Sequence, residues 1–221
     1  MNSYIIGIQA RTNSTRLPGK IYYRLGEKSV LEHSYDTCKN VLPNHYRPIV
    51  LGIASDTKLK EFVNEKGLDH YFATCDENDL LGRYLEAVRA CKAKGVIRIT
   101  ADCPLIDQQW IERVATALLS HDYVTNTTPR TVIDGDDVQA ISAKALEWYA
   151  KTLKSEEHLF YHLEHDPSIR RLFDDQGFSY QSLFSQDTMI PNPYHPDTKM
   201  SVDTIEDLEK VRKIYETSKP R

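Results

Sequence analysis

Short apolar segments alternate with longer segments of helical periodicity through the first half of the chain. The apolar segments lie at residues 4–8, 49–54, 70–73, 96–100 and 123–125. Their length and near-continuous hydrophobicity are typical of strands buried on both faces of a sheet. One of the intervening helices is expected to begin after Ser29, which forms a capping-box pattern with Glu32. The alternation predicts βαβ units and therefore an α/β fold with a parallel sheet.

The second half of the chain has a less regular pattern. It predicts, in order, an acidic turn at residues 134–137, an apolar run at 138–141, helices at 143–153 and 156–164, and a strand at 178–184. The second of these helices is expected to end before Pro167. A proline-rich loop then leads to residues 200–202 and a final helix.

The charge balance and the length of the chain limit the kinds of protein that it can be. The 221 residues include 28 Lys and Arg against 32 Asp and Glu, for a formal net charge of −4. This balance argues against a nucleic-acid partner, because a general nucleic-acid-binding protein carries a basic excess. The length fits one large domain, and we expect a single domain over residues 1–221.

Other features point to a cytoplasmic protein without a membrane partner. No apolar stretch approaches the roughly 20 residues of a membrane span, and the first residues lack the basic and apolar regions of a signal peptide. The four cysteines, Cys38, Cys75, Cys91 and Cys103, are scattered and include no CxxC pair. We expect thiols in a reducing compartment rather than disulfides or a cysteine-based zinc site.

A basic loop follows the first predicted strand. Residues 9–20 contain three cations, Arg11, Arg16 and Lys20, and no acid, with hydroxyl and amide side chains between them. Ligands bind where loops leave the carboxyl ends of parallel strands, and these side chains suit a polyphosphate. A solvated basic loop is an equally good interpretation of the composition. A Walker A loop is excluded. That motif has Ser or Thr after its lysine, where this chain has Ile21 after Lys20, and Ser14 stands where the motif has its first glycine.

Several ordered motifs resemble those of the sugar cytidylyltransferases. They are Ala10-Arg11-x-x-Ser14-Thr15-Arg16-Leu17-Pro18-Gly19-Lys20, Asp79-x-x-x-Arg83-Tyr84, the segment 98–107, Asp137-Val138, Glu157-His158 and Ser201-Val202-Asp203-Thr204-x-x-Asp207. The pattern is similar to the 3-deoxy-manno-octulosonate cytidylyltransferases and more similar to the enzymes of the spore coat polysaccharide biosynthesis protein F type. The resemblance spans nearly the whole chain.

This resemblance implies both a fold and a reaction. The fold would be a Rossmann-like nucleotidyltransferase (GT-A-like) three-layer sandwich, with a mostly parallel sheet and a small β-containing acceptor or dimerisation element. Residues 1–128 would form the nucleotide-binding half, and residues 129–221 the acceptor-binding half with the C-terminal metal ligand. The reaction would be Mg²⁺-dependent transfer of CMP from CTP to a sugar acid or related acceptor, with release of pyrophosphate, for surface polysaccharide or glycoconjugate synthesis. The enzyme would act as a homodimer.

The resemblance also implies roles for individual residues. The catalytic residues would be Arg11, Lys20 and Asp102, and the metal ligands Asp102 and Asp203. The nucleotide-binding residues would be Ala10, Arg11, Ser14, Thr15, Arg16, Lys20, Asp79, Arg83, Thr100 and Asp102. Simpler interpretations stay open: Asp102 and Asp203 could cap a turn and the last helix, and Asp79 and Arg83 could form a surface ion pair.

The predicted acceptor-binding residues are Arg130, Asp137, Gln139, Glu157 and His158. Here the chain departs from the common pattern, because Gln139 stands where many family members have an acid. The acceptor could therefore be a phosphonate or a phosphorylated non-sugar, and a non-catalytic sugar-nucleotide-binding subunit is a further alternative. His158, His162 and His165 share one predicted helix face, which could in principle hold a transition metal, although a solvated face is the more common outcome.

Overall fold

The computed structural model describes residues 4–153, 159–185 and 198–218. The strands are β1 (Tyr4–Gln9), β2 (Arg24–Leu25), β3 (Lys28–Ser29), β4 (Tyr46–Ile53), β5 (His70–Ala73), β6 (Gly95–Thr100), β7 (Tyr123–Thr125), β8 (Gln139–Ser142) and β9 (Tyr180–Ser182). The helices are α1 (Val30–Lys39), α2 (Thr57–Glu65), α3 (Leu80–Cys91), α4 (Gln108–Ala117), α5 (Ala143–Thr152), α6 (Tyr161–His165), α7 (Pro167–Asp175) and α8 (Ile205–Ser218).

Seven strands form the main sheet in the order β5-β4-β1-β6-β8-β7-β9. Strands β5, β4, β1 and β6 are parallel. Strand β8 runs antiparallel to both β6 and β7, and β9 runs parallel to β7. The predicted mostly parallel α/β fold is therefore confirmed. The strands from the second half of the chain extend this same sheet, while β2 and β3 form a separate two-stranded hairpin.

Alternating side chains of the central strands supply two hydrophobic cores. Ile6 and Ile8 of β1 face the core that α1, α2 and α4 cover, and Ile5 faces the core that α3, α5 and α7 cover. This separation follows from the two-residue period of a strand. A smaller cluster beneath α8 joins Leu208 to Leu25 of the hairpin and to Val202. That packing brings the segment before α8 to the carboxyl ends of β1 and β6.

Side-chain caps define where several helices begin. The predicted capping box at α1 is present: the Ser29 hydroxyl accepts from the Glu32 backbone N–H, and the Glu32 carboxylate accepts from Ser29 N–H. Asp56, Asp79 and Asp107 accept backbone N–H groups at the starts of α2, α3 and α4. Each cap satisfies a donor that the first helical turn leaves unpaired.

The structure corrects the predicted elements of the second half. Of the helix predicted over residues 156–164, residues 156–158 lie outside the described residues, and α6 begins only at Tyr161. Helix α7 was missed: it starts at Pro167, where the fixed proline φ suits a first helical position and Asp166 caps the Ser168 N–H. The strand predicted over 178–184 is limited to β9. The four cysteines are free thiols.

No helix in the described parts of the chain combines the length and the apolar character needed to cross a membrane.

Candidate active site

The basic loop after β1 is held against α2 by one aspartate. Asp56 Oδ2 accepts the backbone N–H of Thr12 at 2.8 Å, and Asp56 Oδ1 accepts the Thr12 hydroxyl at 2.7 Å. The Thr12 carbonyl in turn accepts the N–H groups of Ser14 and Gly19, at 3.1 and 3.0 Å. Gly19 has a φ of +69°, a left-handed conformation that glycine adopts without steric cost. The loop therefore closes on itself and returns Lys20 to the sheet edge.

Lys20 lies between two aspartates from distant parts of the chain. Its ammonium donates to Asp102 Oδ2, and it donates to Asp203 Oδ1 at 2.9 Å. Asp102 follows β6, whose last residue Thr100 pairs with Gln9 at the end of β1. Asp203 precedes α8, and the neighbouring Val202 N–H donates to the Asp102 carbonyl at 2.8 Å. Three chain segments thus meet at one sheet edge.

Lys20 and Asp203 stabilise each other in their charged forms. Burial acts to lower the pKa of Lys20, but the carboxylates of Asp102 and Asp203 outweigh it and raise that pKa. Burial acts to raise the pKa of Asp203, but Lys20 and Lys199 lower it to about 2. Arg16 and Lys199 also pair with Asp203, at 2.8 and 2.9 Å. The arrangement is therefore ionic at neutral pH.

A first cavity of about 230 Å³ opens beside this ion cluster. Its lining includes Ala10, Arg11, Ser14, Thr15, Arg16, Lys20, Thr100, Asp102 and Asp203. Every one of these residues is in the predicted nucleotide or metal set. The Arg16 side chain is 64% exposed, so its guanidinium is accessible to a ligand despite its contact with Asp203.

A second cavity, of about 180 Å³, shares Gln9 and Arg11 with the first and is also lined by Arg83. The Arg83 side chain is only 1% exposed. One of its nitrogens donates to the Glu77 carbonyl at 2.9 Å, while its Nε has no hydrogen-bond partner. Burial lowers the pKa of this guanidinium. A buried polar group without a partner is costly, so Arg83 is suited to pair with a ligand here.

Asp79 does not line the first or the second cavity. None of the ion pairs among the described residues joins Asp79 to Arg83, so the simple i, i+4 interpretation does not apply. Asp79 instead accepts the Gly82 N–H at 2.8 Å as the N-cap of α3. It fixes the start of the helix that carries Arg83.

A third cavity, of about 430 Å³, gathers three of the predicted acceptor residues, Arg130, Asp137 and Gln139. Arg98 lines both this cavity and the second one. Arg130 pairs with Asp137 through two contacts of 2.8 Å. The other two predicted acceptor residues, Glu157 and His158, lie outside the described residues.

Sequence reasoning missed Glu164, which is the centre of a hydrogen-bond network in the third cavity. Its Oε1 accepts from Tyr123 Oη at 2.6 Å, Thr127 Oγ1 at 2.9 Å and Gln139 Nε2 at 2.8 Å. Its Oε2 accepts from Thr128 Oγ1 at 3.0 Å. The donors come from β7, β8 and the loop after β7, so no local spacing could have indicated the network.

A model of the cytidylyltransferase family matches residues 5–220. The chain belongs to the cytidylyltransferase family. The resemblance seen in the sequence is thereby confirmed, and the protein is a nucleotidyltransferase enzyme.

Individual relatives agree with the family assignment. This cytidylyltransferase is 24% identical over 230 residues to the spore coat polysaccharide biosynthesis protein SpsF of Bacillus subtilis, covering 100% of this chain and 90% of that protein. A cytidylyltransferase structure from Leptospira borgpetersenii has a TM-score of 0.73 at 24% identity and covers 99% of this chain and 87% of its own. CMP:2-keto-3-deoxy-manno-octonic acid synthetase complexed with CTP gives a TM-score of 0.71 at 17% identity, covering 98% and 100%. The two structures share the fold.

The donor set of this cytidylyltransferase fits a hard divalent cation at the first cavity. The carboxylates of Asp102 and Asp203 converge on a single cationic group, the Lys20 ammonium. No group of three or more His, Cys, Asp or Glu side chains suited to a metal occurs in the described part of the chain. Two converging carboxylates suit such a cation, because Mg²⁺ binds one or two carboxylates and takes its other oxygens from phosphate and water.

The histidine face considered for a transition metal lies only partly within the described residues of this cytidylyltransferase. His165 lines the third cavity, whereas His162 Nδ1 lies 3.8 Å from Asp166 Oδ2. His158 lies outside the described residues. The rings of both described histidines contact Tyr161, at 5.7 Å for His162 and 4.7 Å for His165 between ring centroids.

Proposed function

We propose that this enzyme transfers CMP from CTP to a sugar acid, with Mg²⁺ and with release of pyrophosphate. The observation that carries the proposal is the position of Lys20 between Asp102 and Asp203, beside a cavity that Arg11 and Arg16 also line. The names of SpsF and of the sugar-acid synthetase support a sugar acceptor and a role in surface polysaccharide synthesis.

In this reaction an acceptor oxygen forms a bond to the α-phosphorus of CTP, and the bond from that phosphorus to the bridging oxygen breaks. Pyrophosphate leaves with the electron pair, and the proton of the acceptor hydroxyl passes to solvent water. Negative charge develops on the phosphate oxygens, so preorganised cations lower the barrier. Arg11, Arg16 and Lys20 supply these cations, and Ser14 and Thr15 add hydroxyl donors in the same cavity.

Asp102 and Asp203 are the residues that would hold Mg²⁺. When bound, the ion neutralises charge on the triphosphate. Lys20 and Lys199 both lower the pKa of Asp203 and so favour the carboxylate form that a metal ligand requires. The proposal assigns the base or ribose to Arg83 in the second cavity, supported by its unpartnered Nε, and the acceptor to the third cavity.

The test is pyrophosphate release with CTP, Mg²⁺ and 3-deoxy-manno-octulosonate, with UTP, ATP and GTP as matched alternatives. We expect turnover with CTP and the sugar acid, and its loss when Mg²⁺ is chelated. Replacing the sugar acid by a phosphonate tests the other acceptor class. Turnover with the phosphonate alone, or equal use of the four nucleotides, would contradict the proposal.

A further inference from the structure

Arg98 is held in place by neutral amides. It lies on β6 opposite Gln139 of β8, and Gln9 is two positions beyond Gly7, the residue of β1 that pairs with Arg98. Arg98 Nη1 donates to Gln139 Oε1 at 2.7 Å, and Nε donates towards Gln9 Oε1 at 3.4 Å. None of the ion pairs that join described residues includes Arg98. The two amides therefore orient a guanidinium that has no direct ion-pair partner there, although it acts through space on the Asp137 carboxyl, whose pKa it works to lower.

The buried Gln139 side chain separates this cation from a nearby anion. Its Oε1 accepts from Arg98, and its Nε2 donates to Glu164 Oε1 at 2.8 Å. Because Glu164 also receives three hydroxyl groups, its hydrogen-bonding capacity is met by neutral donors. The amide thus links Arg98 to Glu164 while preventing a direct ion pair.

Arg130, the predicted anion-binding residue of this cavity, differs from Arg98 because it already forms an ion pair. Its guanidinium donates one hydrogen bond to Asp137 Oδ2 and makes an ion-pair contact with Oδ1, both at 2.8 Å, so this carboxylate balances its charge. Arg98 lines the same cavity and carries no such partner. An anion entering the third cavity would thus gain more from Arg98 than from Arg130.

We propose that Arg98 binds the carboxylate of the acceptor and selects acidic sugars, an inference that rests on the proposed function. A guanidinium offers two parallel donors that match a carboxylate, and Gln9 and Gln139 fix its plane before the ligand arrives. Arg98 also lines the second cavity, so an acid bound to it lies at the boundary between the nucleotide and acceptor sites. Glu164 organises the hydroxyl-rich wall opposite this charge.

The test compares 3-deoxy-manno-octulosonate with its methyl ester, which keeps the hydroxyl groups and loses the charge. Pyrophosphate release is measured for the wild type, Arg98→Gln and Arg98→Lys. We expect the acid-to-ester ratio of kcat/KM to fall roughly 10- to 100-fold in Arg98→Gln, the scale of a charge-assisted hydrogen-bond pair. The loss should appear mainly in the KM of the acid, and Arg98→Lys should retain part of the preference.

A second variant keeps Arg98 but balances its charge with a new carboxylate. Gln139→Glu places a carboxylate beside the guanidinium, so we expect the same loss of preference for the acid. Gln109→Glu adds the same charge at an exposed position of α4 and serves as the control. Urea denaturation, measured for every variant, reports folding, and calorimetric CTP binding reports any effect of the substitution on the adjoining nucleotide cavity.

The outcomes separate the two proposals. In one outcome the wild type uses the acid, but Arg98→Gln slows the reactions of the acid and the ester equally, or weakens CTP binding as much as it slows the reaction of the acid. The role of Arg98 is then overturned, and the proposed function stands. If the wild type binds CTP with Mg²⁺ but turns over no sugar acid, the proposed function fails and the carboxylate assignment is overturned with it.

Discussion

Asp56 holds Thr12 through both oxygens of its carboxylate, one to the backbone N–H and one to the hydroxyl. The same carboxylate also accepts the Leu59 N–H at 3.0 Å and so caps α2. A single side chain therefore ties the conformation of the basic loop to the start of a helix packed on the sheet.

We expect Asp56→Ala to weaken CTP binding by about tenfold, because the loop loses the charge-assisted bonds that hold it. It should also lower the free energy of unfolding by about 1–2 kcal/mol through the lost cap. Asp107→Ala is the control, since it removes the N-cap of α4 without touching the loop. Calorimetry and urea denaturation measure the two effects. Equal CTP affinity in both variants would show that Asp56 only caps its helix.

Replacing Lys20 with methionine should lower kcat by about 100-fold or more, the scale of removing one preorganised donor from a developing oxyanion. The change also leaves Asp102 and Asp203 facing each other without their shared cation, so the protein should become less stable. Lys28→Met is the control, because Lys28 also pairs with an aspartate, Asp36, but does not line the first cavity. Near wild-type turnover of Lys20→Met in a pyrophosphate-release assay would exclude a role of Lys20 in phosphate binding.

Arg83 gives a prediction in which stability and binding change in opposite directions. Arg83→Met removes a buried guanidinium that has an unpartnered Nε, so the free energy of unfolding should rise by about 1–3 kcal/mol. Affinity for CTP should fall by about tenfold because the ligand loses a donor. Urea denaturation and CTP titration measure the two quantities on one variant. A drop in stability with unchanged CTP affinity would mean that Arg83 is structural.

The buried Asp136 predicts a pH dependence of stability. Burial raises the pKa of its carboxyl to about 7, although the hydrogen bond that it accepts from the Asp107 N–H acts to lower this pKa. Between about pH 4 and 7 the native state keeps a proton that the unfolded state has released, so stability falls as pH rises through this window. Asp136→Asn should reduce the downward slope by up to about 1.4 kcal/mol per pH unit. Parallel slopes for the two proteins in urea titrations would contradict this origin.

Much of the architecture followed from local patterns. The alternation of apolar and helical segments predicted the sheet, and Ser29 with Glu32 marked the start of α1, because strand burial and helix capping depend on residues close in the chain. Proline at the first turn of α7 is also a local signal, which the prediction of a helix ending before Pro167 overlooked.

The sequence by itself determined the family, the mostly parallel sheet and the chemical character of the loop carrying Arg11, Arg16 and Lys20. Only the tertiary structure decided which charges neutralise one another. Lys20 meets partners 82 and 183 residues away, Arg130 is paired, and Arg98 is kept apart from Glu164 by one amide. These outcomes depend on which strands become neighbours in the sheet, and ion pairing acts over a few ångströms in space regardless of separation along the chain.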